Sequence, residues 1–366
     1  MVFFALLLLA LLALANGAND VSKGIATLAG SGVTETDKAI RWGTFWTILG
    51  SLTGLFFGAK LIGTFSNGIY VNHLSLTSQM ALAISIAPAL WVLLATRFGW
   101  PVSTTHAITG AFLGAGLLAF GWSGIAWGNT FKKIVLPLMA SPILSVGLAY
   151  LLSPLLKRCL AKVEGHCLCL TPRPRIVPLS ELGVATASLA DVVPAIGTTE
   201  ACETAISRFS LKSDQLHWLT SGLVSFARGL NDTPKIIAVV LPLIFLSFSQ
   251  TEGPLFVLAA LSMGVGSWLG GRRVTETLGF QVTKMNHQEG FTANLITAAL
   301  VTLASPLGLP VSTTHISASA ITGVGLAGKN QVDSKTVREM LLAWVVTVPA
   351  SAALGMALLT LLKEIS

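Results

Sequence analysis

The hexapeptide Pro101-Val102-Ser103-Thr104-Thr105-His106 occurs a second time in the chain as Pro310-Val311-Ser312-Thr313-Thr314-His315. Each hexapeptide follows one copy of a second motif, and the two copies of that motif read Gly17-Ala18-Asn19-Asp20-Val21-Ser22-Lys23 and Gly229-Leu230-Asn231-Asp232-Thr233-Pro234-Lys235. We call these segments the first and second hexapeptides and the first and second Asn-Asp motifs. Because two different motifs recur in the same order and at nearly the same spacing, the sequence predicts an internal duplication.

The composition is typical of a membrane protein. The 366 residues are 53% hydrophobic and only 11% charged, with a mean hydropathy of +0.75, whereas soluble domains carry about 25% charged residues. Continuous apolar runs long enough to cross a bilayer as helices, about 20 residues each, recur along the chain. The sequence therefore predicts an all-α membrane protein with about ten to twelve transmembrane spans, arranged as two inverted repeats with broken helices.

Three regions follow from the positions of the motifs. We expect a first inverted repeat over residues 1–157, a polar connector over 158–213 and a second inverted repeat over 214–366. In the connector we expect a short amphipathic helix around Glu181–Ile206. The apolar run of the first helix is interrupted by polar residues at Asn16–Asp20, which predicts a broken helix there.

The distribution of basic residues predicts the orientation in the membrane. With five spans in each repeat, the second copy enters the membrane the opposite way round. When the N-terminus is placed outside, nearly all loop Lys and Arg residues fall on the inner side, and only Lys132 and Lys133 do not. This agrees with the positive-inside rule, which also explains the net charge of +7 without a nucleic-acid partner. We expect an integral protein of the inner or plasma membrane, surrounded by lipid, with a cytoplasmic connector and both termini outside.

Inverted repeats with interrupted helices are typical of secondary transporters, whose substrates bind near the bilayer midplane. Each hexapeptide follows the pattern of a helix N-terminus, where unpaired backbone N–H groups and a positive partial charge favour anions. The hexapeptides add six hydroxyl groups that can donate hydrogen bonds to a tetrahedral oxyanion: Ser103, Thr104, Thr105, Ser312, Thr313 and Thr314.

The carboxylates of Asp20 and Asp232 would repel an anion in a medium of low dielectric constant. Two arrangements would remove this repulsion. A cation such as Na⁺ bound beside each carboxylate would neutralise it and couple the two ions by reciprocal linkage. Alternatively, each carboxylate can accept a hydrogen bond from a protonated oxyanion. Phosphate near neutral pH still carries a proton and sulfate does not, so the two Asp residues favour phosphate as the substrate.

The two Asn-Asp motifs and the two hexapeptides together resemble the inorganic phosphate transporter family, the sodium- or proton-coupled phosphate permeases, over essentially the whole chain. The resemblance implies import of inorganic phosphate by a homodimer of inverted-repeat subunits that works through an elevator-like movement. It implies no cofactor beyond the coupling ion, which is Na⁺, with H⁺ as the alternative. The chain departs from the family's common pattern at Ala227-Arg228, where Ala-His is usual, and at Val21-Ser22-Lys23, where Val-Ala-Asn is usual.

The matched positions give a candidate site. The residues expected to bind phosphate are Asp20, Ser103, Thr104, Thr105, Asp232, Ser312, Thr313 and Thr314. The residues expected to bind Na⁺ are Asn19, Asp20, Asn231, Asp232, Thr104 and Thr313. Supporting roles are expected for Lys23, Lys235, His106, His315, Gln79 and Gln288, whereas Arg228 is interpreted as a cation that extends to the membrane surface.

Other functions remain as alternatives. A sulfate permease of similar architecture would use the same hydroxyl groups, and an anion channel would use them as a filter. An intramembrane enzyme is disfavoured, because a catalytic site seldom needs every residue in duplicate. The sequence thus predicts a transporter rather than an enzyme.

Overall fold

The computed structural model describes residues 2–71, 74–163, 166–177, 186–198, 207–209, 213–245 and 252–365. Helices make up the part of the chain that contains the motifs. In chain order they are α1 (Val2–Asp20), α2 (Ser22–Gly30), α3 (Thr36–Phe57), α4 (Ala59–Asn67), α5 (Ser78–Arg97), α6 (Thr104–Phe120), α7 (Trp127–Thr130), α8 (Leu136–Val163), α9 (Ser213–Phe245), α10 (Gly253–Glu276), α11 (His287–Ala304), α12 (Thr313–Ala327) and α13 (Ser334–Ile365). The prediction of an all-α membrane architecture is confirmed for this part of the chain.

Several helices have the length and apolar composition needed to cross a bilayer. In the described residues, five continuous helical segments qualify, and they are Phe3–Gly30, Ser78–Arg97, Trp127–Ala161, Gly253–Gln281 and Ser334–Ile365. Helices α3 and α4 qualify together as a sixth segment, although they are bent by 77° relative to each other. The total number of spans and the inverted repeat remain predictions.

The Asn-Asp motifs are almost fully helical. Helix α1 ends at Asp20 and α2 begins at Ser22, and the residue between them, Val21, keeps right-handed helical dihedral angles. Helix α9 runs through the whole second motif, with Pro234 inside it. The predicted break therefore lies at Val21, directly after Asp20, and residues 16–20 themselves are helical. The polar side chains there bond to neighbouring helices, so the backbone does not need to unwind to accommodate them.

The hexapeptides interrupt the helices instead. Residues 101–103 and 310–312 have no helical structure, and α6 and α12 begin directly after them. Ser103 and Ser312 are the N-cap residues, each accepting a hydrogen bond on Oγ from the backbone N–H three residues later. Serine is a preferred N-cap because its oxygen satisfies one of the unpaired N–H groups of the first turn. The predicted helix N-termini are therefore present at both hexapeptides.

The connector contains strands in its described residues. Strands β1 (His166–Val177), β2 (Thr186–Thr198) and β3 (Ser207–Phe209) form an antiparallel sheet in the order β2-β1-β3. The amphipathic helix expected around Glu181–Ile206 is therefore wrong for the part that forms β2, while residues 178–185 and 199–206 lie outside the described residues. Paired valines favour a strand, and Pro194 would remove a helical hydrogen bond but is tolerated in an edge strand such as β2.

Glycines allow the helices around the motifs to approach each other closely. A Cβ atom on Gly17 of α1 would lie 2.1 Å from the carbonyl oxygen of Met263 in α10, and one on Gly114 of α6 would lie 2.2 Å from that of Ala352 in α13. Such small residues at helix crossings are how membrane helices gain close van der Waals contact. The packing of α1 and α6 is thus determined partly by residues without side chains.

This packing predicts opposite effects of the same substitution at two helical glycines. Gly114→Ala should destabilise the protein by about 1–3 kcal/mol, because the new methyl group overlaps the backbone of α13. Gly147→Ala in α8 is the matched control, since its Cβ atom would meet nothing within 4 Å, and it should be neutral or stabilising by about 0.5–1 kcal/mol. Thermal unfolding in detergent measures both. Equal melting temperatures for the two variants would contradict the proposed helix contact.

Candidate functional site

The two hexapeptides meet in the interior of the protein. The hydroxyl of Thr314 donates a hydrogen bond to the carbonyl oxygen of Val102 at 2.8 Å, which joins the start of α12 to the start of α6. The imidazole rings of His106 and His315 pack with centroids 4.3 Å apart, and His315 also stacks on Trp344 at 4.0 Å. Segments more than 200 residues apart in sequence therefore form one structural unit.

The first Asn-Asp motif lies against this unit through Asp20. One carboxylate oxygen, Oδ2, accepts hydrogen bonds from the hydroxyl of Thr104 at 3.2 Å and from the amide of Asn16 at 2.7 Å. The other oxygen, Oδ1, forms a buried ion pair with Lys23 Nζ at 2.6 Å. Asp20 is only 1% exposed, so its hydrogen bonds are made with protein groups, which come from α1, α2 and the start of α6.

The second motif makes the corresponding contacts. Asp232 Oδ1 forms an ion pair with Lys235 Nζ at 3.1 Å, and both side chains are buried. The same Nζ donates to the hydroxyl of Thr105 and to the carbonyl oxygen of Val311, each at 2.9 Å. Lys235 therefore connects the second motif to both hexapeptides.

Asn16 joins the two motifs and was missed as a site residue by the sequence analysis. Three acceptors lie within hydrogen-bonding distance of its amide nitrogen and share its two hydrogens: Asp20 Oδ2 at 2.7 Å, Thr104 Oγ1 at 3.0 Å and Asp232 Oδ2 at 3.3 Å. Two carboxylates that are far apart in sequence thus converge on one amide group. A signal was present, because Asn16 precedes Asn19 by the same interval that separates Arg228 from Asn231.

The expectation that Arg228 extends to the membrane surface is wrong. Its side chain is 0% exposed and donates from Nη2 to the hydroxyl of Thr47 at 2.6 Å, with a longer contact of 3.5 Å from Nη1 to Asn16 Oδ1. Burial is possible because these oxygens replace part of the hydration shell of the guanidinium group. Arg228 is therefore part of the same buried cluster.

The Asn residues of the motifs are also held by matched partners. Asn19 Nδ2 donates to the hydroxyl of Thr96 at 3.0 Å, and Asn231 Nδ2 donates to that of Ser305 at 2.8 Å. Thr96 and Ser305 each lie five residues before the proline of a hexapeptide. The amide nitrogens face these hydroxyls, and this leaves Oδ1 of each Asn directed toward the lysine of its own motif.

The remaining predicted residues lie around this cluster. Ser103 and Ser312 are capping residues, and Thr313 is buried in the first turn of α12. His106 Nδ1 is 2.9 Å from the hydroxyl of Ser103. Gln79 and Gln288 lie in the first turns of α5 and α11, and their supporting role remains a prediction.

The cluster contains five buried charged side chains. Asp20, Lys23, Arg228, Asp232 and Lys235 are each at most 3% exposed. Ionisable groups at membrane depth are costly and normally have a function. The cluster combines hydroxyl donors and two helix N-termini, which suit an anion, with carboxylates, which suit a cation or a proton donor.

Comparison with known proteins agrees with this chemistry. Residues 16–355 match the family described as the phosphate transporter family. The chain belongs to the phosphate transporter family. A predicted phosphate permease of Chlamydia muridarum is 28% identical, with 95% of each chain covered. The chloroplastic inorganic phosphate transporter 2-1 of Arabidopsis thaliana is also 28% identical, covering 93% of this chain and 68% of its own length.

A solved structure is similar over the whole transporter. It is described as the sodium-dependent phosphate transporter, with a TM-score of 0.78 and 26% sequence identity, covering 100% of this chain and 99% of that one. These relatives are permeases and transporters rather than enzymes, as predicted. The matches support phosphate transport as the function and an integral membrane location.

The central position of Asn16 leads to a prediction about stability. Asn16→Ala should lower the free energy of unfolding by about 1.5–3 kcal/mol, because it removes hydrogen bonds to charged carboxylates in a buried place. Asn129→Ala is a suitable control, since Asn129 is partly buried and donates to a backbone carbonyl outside the cluster. Thermal unfolding in detergent compares them. A smaller loss for Asn16→Ala than for Asn129→Ala would contradict its central role.

Proposed function

We propose that the transporter is a secondary active importer of inorganic phosphate, coupled to a cation that is either Na⁺ or H⁺. Family membership and the similarity to a sodium-dependent phosphate transporter support this proposal. The observation that carries it is the contact between the hexapeptides and the Asn-Asp motifs. The hydroxyl of Thr104 lies 3.2 Å from Asp20, and that of Thr105 lies 2.9 Å from Lys235.

In this proposal, phosphate binds between the starts of α6 and α12. The helix N-termini contribute a positive partial charge and backbone N–H groups. The hydroxyls of the hexapeptides add neutral donors that suit a tetrahedral oxyanion. The proposed phosphate ligands are those of the sequence prediction, namely Asp20, Ser103, Thr104, Thr105, Asp232, Ser312, Thr313 and Thr314.

Asp20 and Asp232 provide selectivity in this proposal. When phosphate donates a hydrogen bond from its acidic proton to a carboxylate, the contact between the two groups becomes favourable instead of repulsive. Sulfate carries no such proton near neutral pH, so it would place its negative charge next to both carboxylates without a hydrogen bond between them. Discrimination between phosphate and sulfate should be strong, because a buried polar group that lacks a hydrogen bond to the substrate costs free energy.

The coupling cation is proposed to act beside the same two carboxylates. For Na⁺, the proposed ligands are Asn19, Asp20, Asn231, Asp232, Thr104 and Thr313, which supply hard oxygen atoms. H⁺ is the other candidate.

The proposal has further parts, each taken from the sequence prediction. They are the homodimer, the inverted repeats over 1–157 and 214–366 and the cytoplasmic connector.

Uptake of radiolabelled phosphate into proteoliposomes tests this function. The protein should take up phosphate, unlabelled phosphate should compete, and sulfate in tenfold excess should not. Asp20→Asn and Asp232→Asn should each reduce uptake by about a hundredfold, because neutralising one partner of a buried charge pair leaves the other charge uncompensated, which costs several kcal/mol.

Asp37→Asn is the matched control for these variants, since Asp37 is 68% exposed and lies 4.0 Å from Arg272 at the surface. It should transport as the unmodified protein does. Size-exclusion chromatography of every variant separates lost transport from lost folding. Uptake of sulfate in place of phosphate would make the protein a sulfate permease, and flux that never saturates would make it a channel.

A further inference from the structure

Lys23 places its ammonium group in a cage of oxygen atoms. The Nζ atom lies 2.8 Å from the carbonyl oxygen of Asn19, 2.8 Å from Asn19 Oδ1 and 2.6 Å from Asp20 Oδ1. An ammonium group has three hydrogens to donate, and three oxygens receive them. Lys23 lies three residues after Asp20 and four residues after Asn19, so the three side chains lie on one face of the helix.

Lys235 has an equivalent cage in the second motif. Its Nζ donates to Asn231 Oδ1 and to Asp232 Oδ1 at 3.1 Å, which are the same two atom types at the same spacing. Thr105 Oγ1 and the carbonyl oxygen of Val311, each at 2.9 Å, complete a set of four oxygens that share the three hydrogens of the ammonium group. The side chain is 1% exposed, so the oxygens have replaced the water shell of the ammonium.

These oxygens do not fit an additional Na⁺. Both Asn and both Asp residues were expected to bind Na⁺, and the Oδ1 atom of each accepts a hydrogen bond from a lysine. A Na⁺ ion at the same oxygens would lie next to an ammonium group of the same charge, in a buried place where repulsion is weakly screened. Lysine is a compact point charge, so it can satisfy oxygens that would otherwise bind a small cation.

The charges of the cluster give a second, independent argument. Lys23, Arg228 and Lys235 are positive, and Asp20 and Asp232 are negative, so the buried cluster has one formal positive charge in excess. Within the described residues, Arg228 takes part in no ion pair, and its buried Nε has no hydrogen-bond partner. A single negative charge on a bound substrate would balance this excess without a further cation.

We propose that Lys23 and Lys235 act as tethered cations in the places of two coupling Na⁺ ions, so that the transporter binds the phosphate monoanion without Na⁺. The charge of Arg228 is then the one that the substrate balances. This inference rests on the proposed transport of phosphate and concerns the choice of coupling ion at the same site. In this respect the proposed binding of phosphate differs from binding that depends on Na⁺.

Two measurements on the unmodified protein test the inference. Uptake of radiolabelled phosphate into proteoliposomes should be equal, within about twofold, when choline replaces Na⁺ on both sides. In detergent, phosphate should raise the melting temperature by the same amount in NaCl and in choline chloride, since ligand binding to the folded state stabilises it by mass action. A requirement for Na⁺ in either measurement would overturn the inference but leave phosphate transport in place.

Lys23→Asn and Lys235→Asn test the role of the two ammonium groups. Asn is too short to reach the cage, so the carboxylate loses its cation while its oxygens become free for an ion. In choline, uptake should fall at least about tenfold, which corresponds to the loss of a charge-assisted hydrogen bond, and Na⁺ should restore part of it. Lys38→Asn, at an exposed lysine of α3, is the control and should transport normally in both media.

The outcomes separate the two proposals. Variants that retain uptake in choline would show that the ammonium groups do not replace a cation, and would overturn the inference. If the variants fail to fold, the measurements on the unmodified protein still decide the Na⁺ requirement. Absence of phosphate uptake by the unmodified protein in both media would overturn the proposed function as well.

Discussion

The fold depends on one constraint, which is that five charged side chains lie in the interior of an apolar helical protein and must find partners there. Moving charges out of water is expensive unless they are paired and hydrogen-bonded. Here α1, α2 and α9 supply the charges, and the starts of α6 and α12 supply hydroxyl and carbonyl groups that complete their hydrogen bonds. Because Asp20 and Lys235 also depend on hydroxyl and carbonyl groups of the hexapeptides, their hydrogen bonds are complete only when distant parts of the chain pack together.

Two features of the backbone make this packing possible. The hexapeptides end the helical hydrogen-bond pattern, and their serines cap the next helix, which leaves the threonines free to contact the motifs. Glycines at helix crossings let backbones approach to distances that no side chain would allow, as at Gly17 and Gly114. The helical structure is therefore interrupted at the hexapeptides, while the Asn-Asp motifs keep most of their helical hydrogen bonds.

The matched halves of the cluster are similar but not identical, and the difference carries chemical meaning. Each motif has its own Asn, Asp and Lys in the same relation, with Asn19 held by Thr96 and Asn231 held by Ser305. At the centre, however, Asn16 corresponds to Arg228, so one half contributes a neutral amide and the other a cation. The amide bridges both carboxylates, and the guanidinium makes the cluster positive overall. The two matched motifs thus form one asymmetric centre.

The sequence by itself determined the membrane class, the duplicated motifs and most residues of the cluster, because composition, spacing and helix-end chemistry are local properties that a single chain displays. It could also place the N-termini of α6 and α12, since Pro and Ser act on the backbone next to them. It did not determine that the Asn-Asp motifs remain helical, that part of the connector forms strands, or that Asn16 contacts both carboxylates with Arg228 buried beside it. Those features depend on partners such as Thr47 and Thr104 that are distant in sequence. Only the tertiary structure decided them, because whether a polar side chain is buried, bridging or exposed is set by the groups that other helices bring within hydrogen-bonding distance.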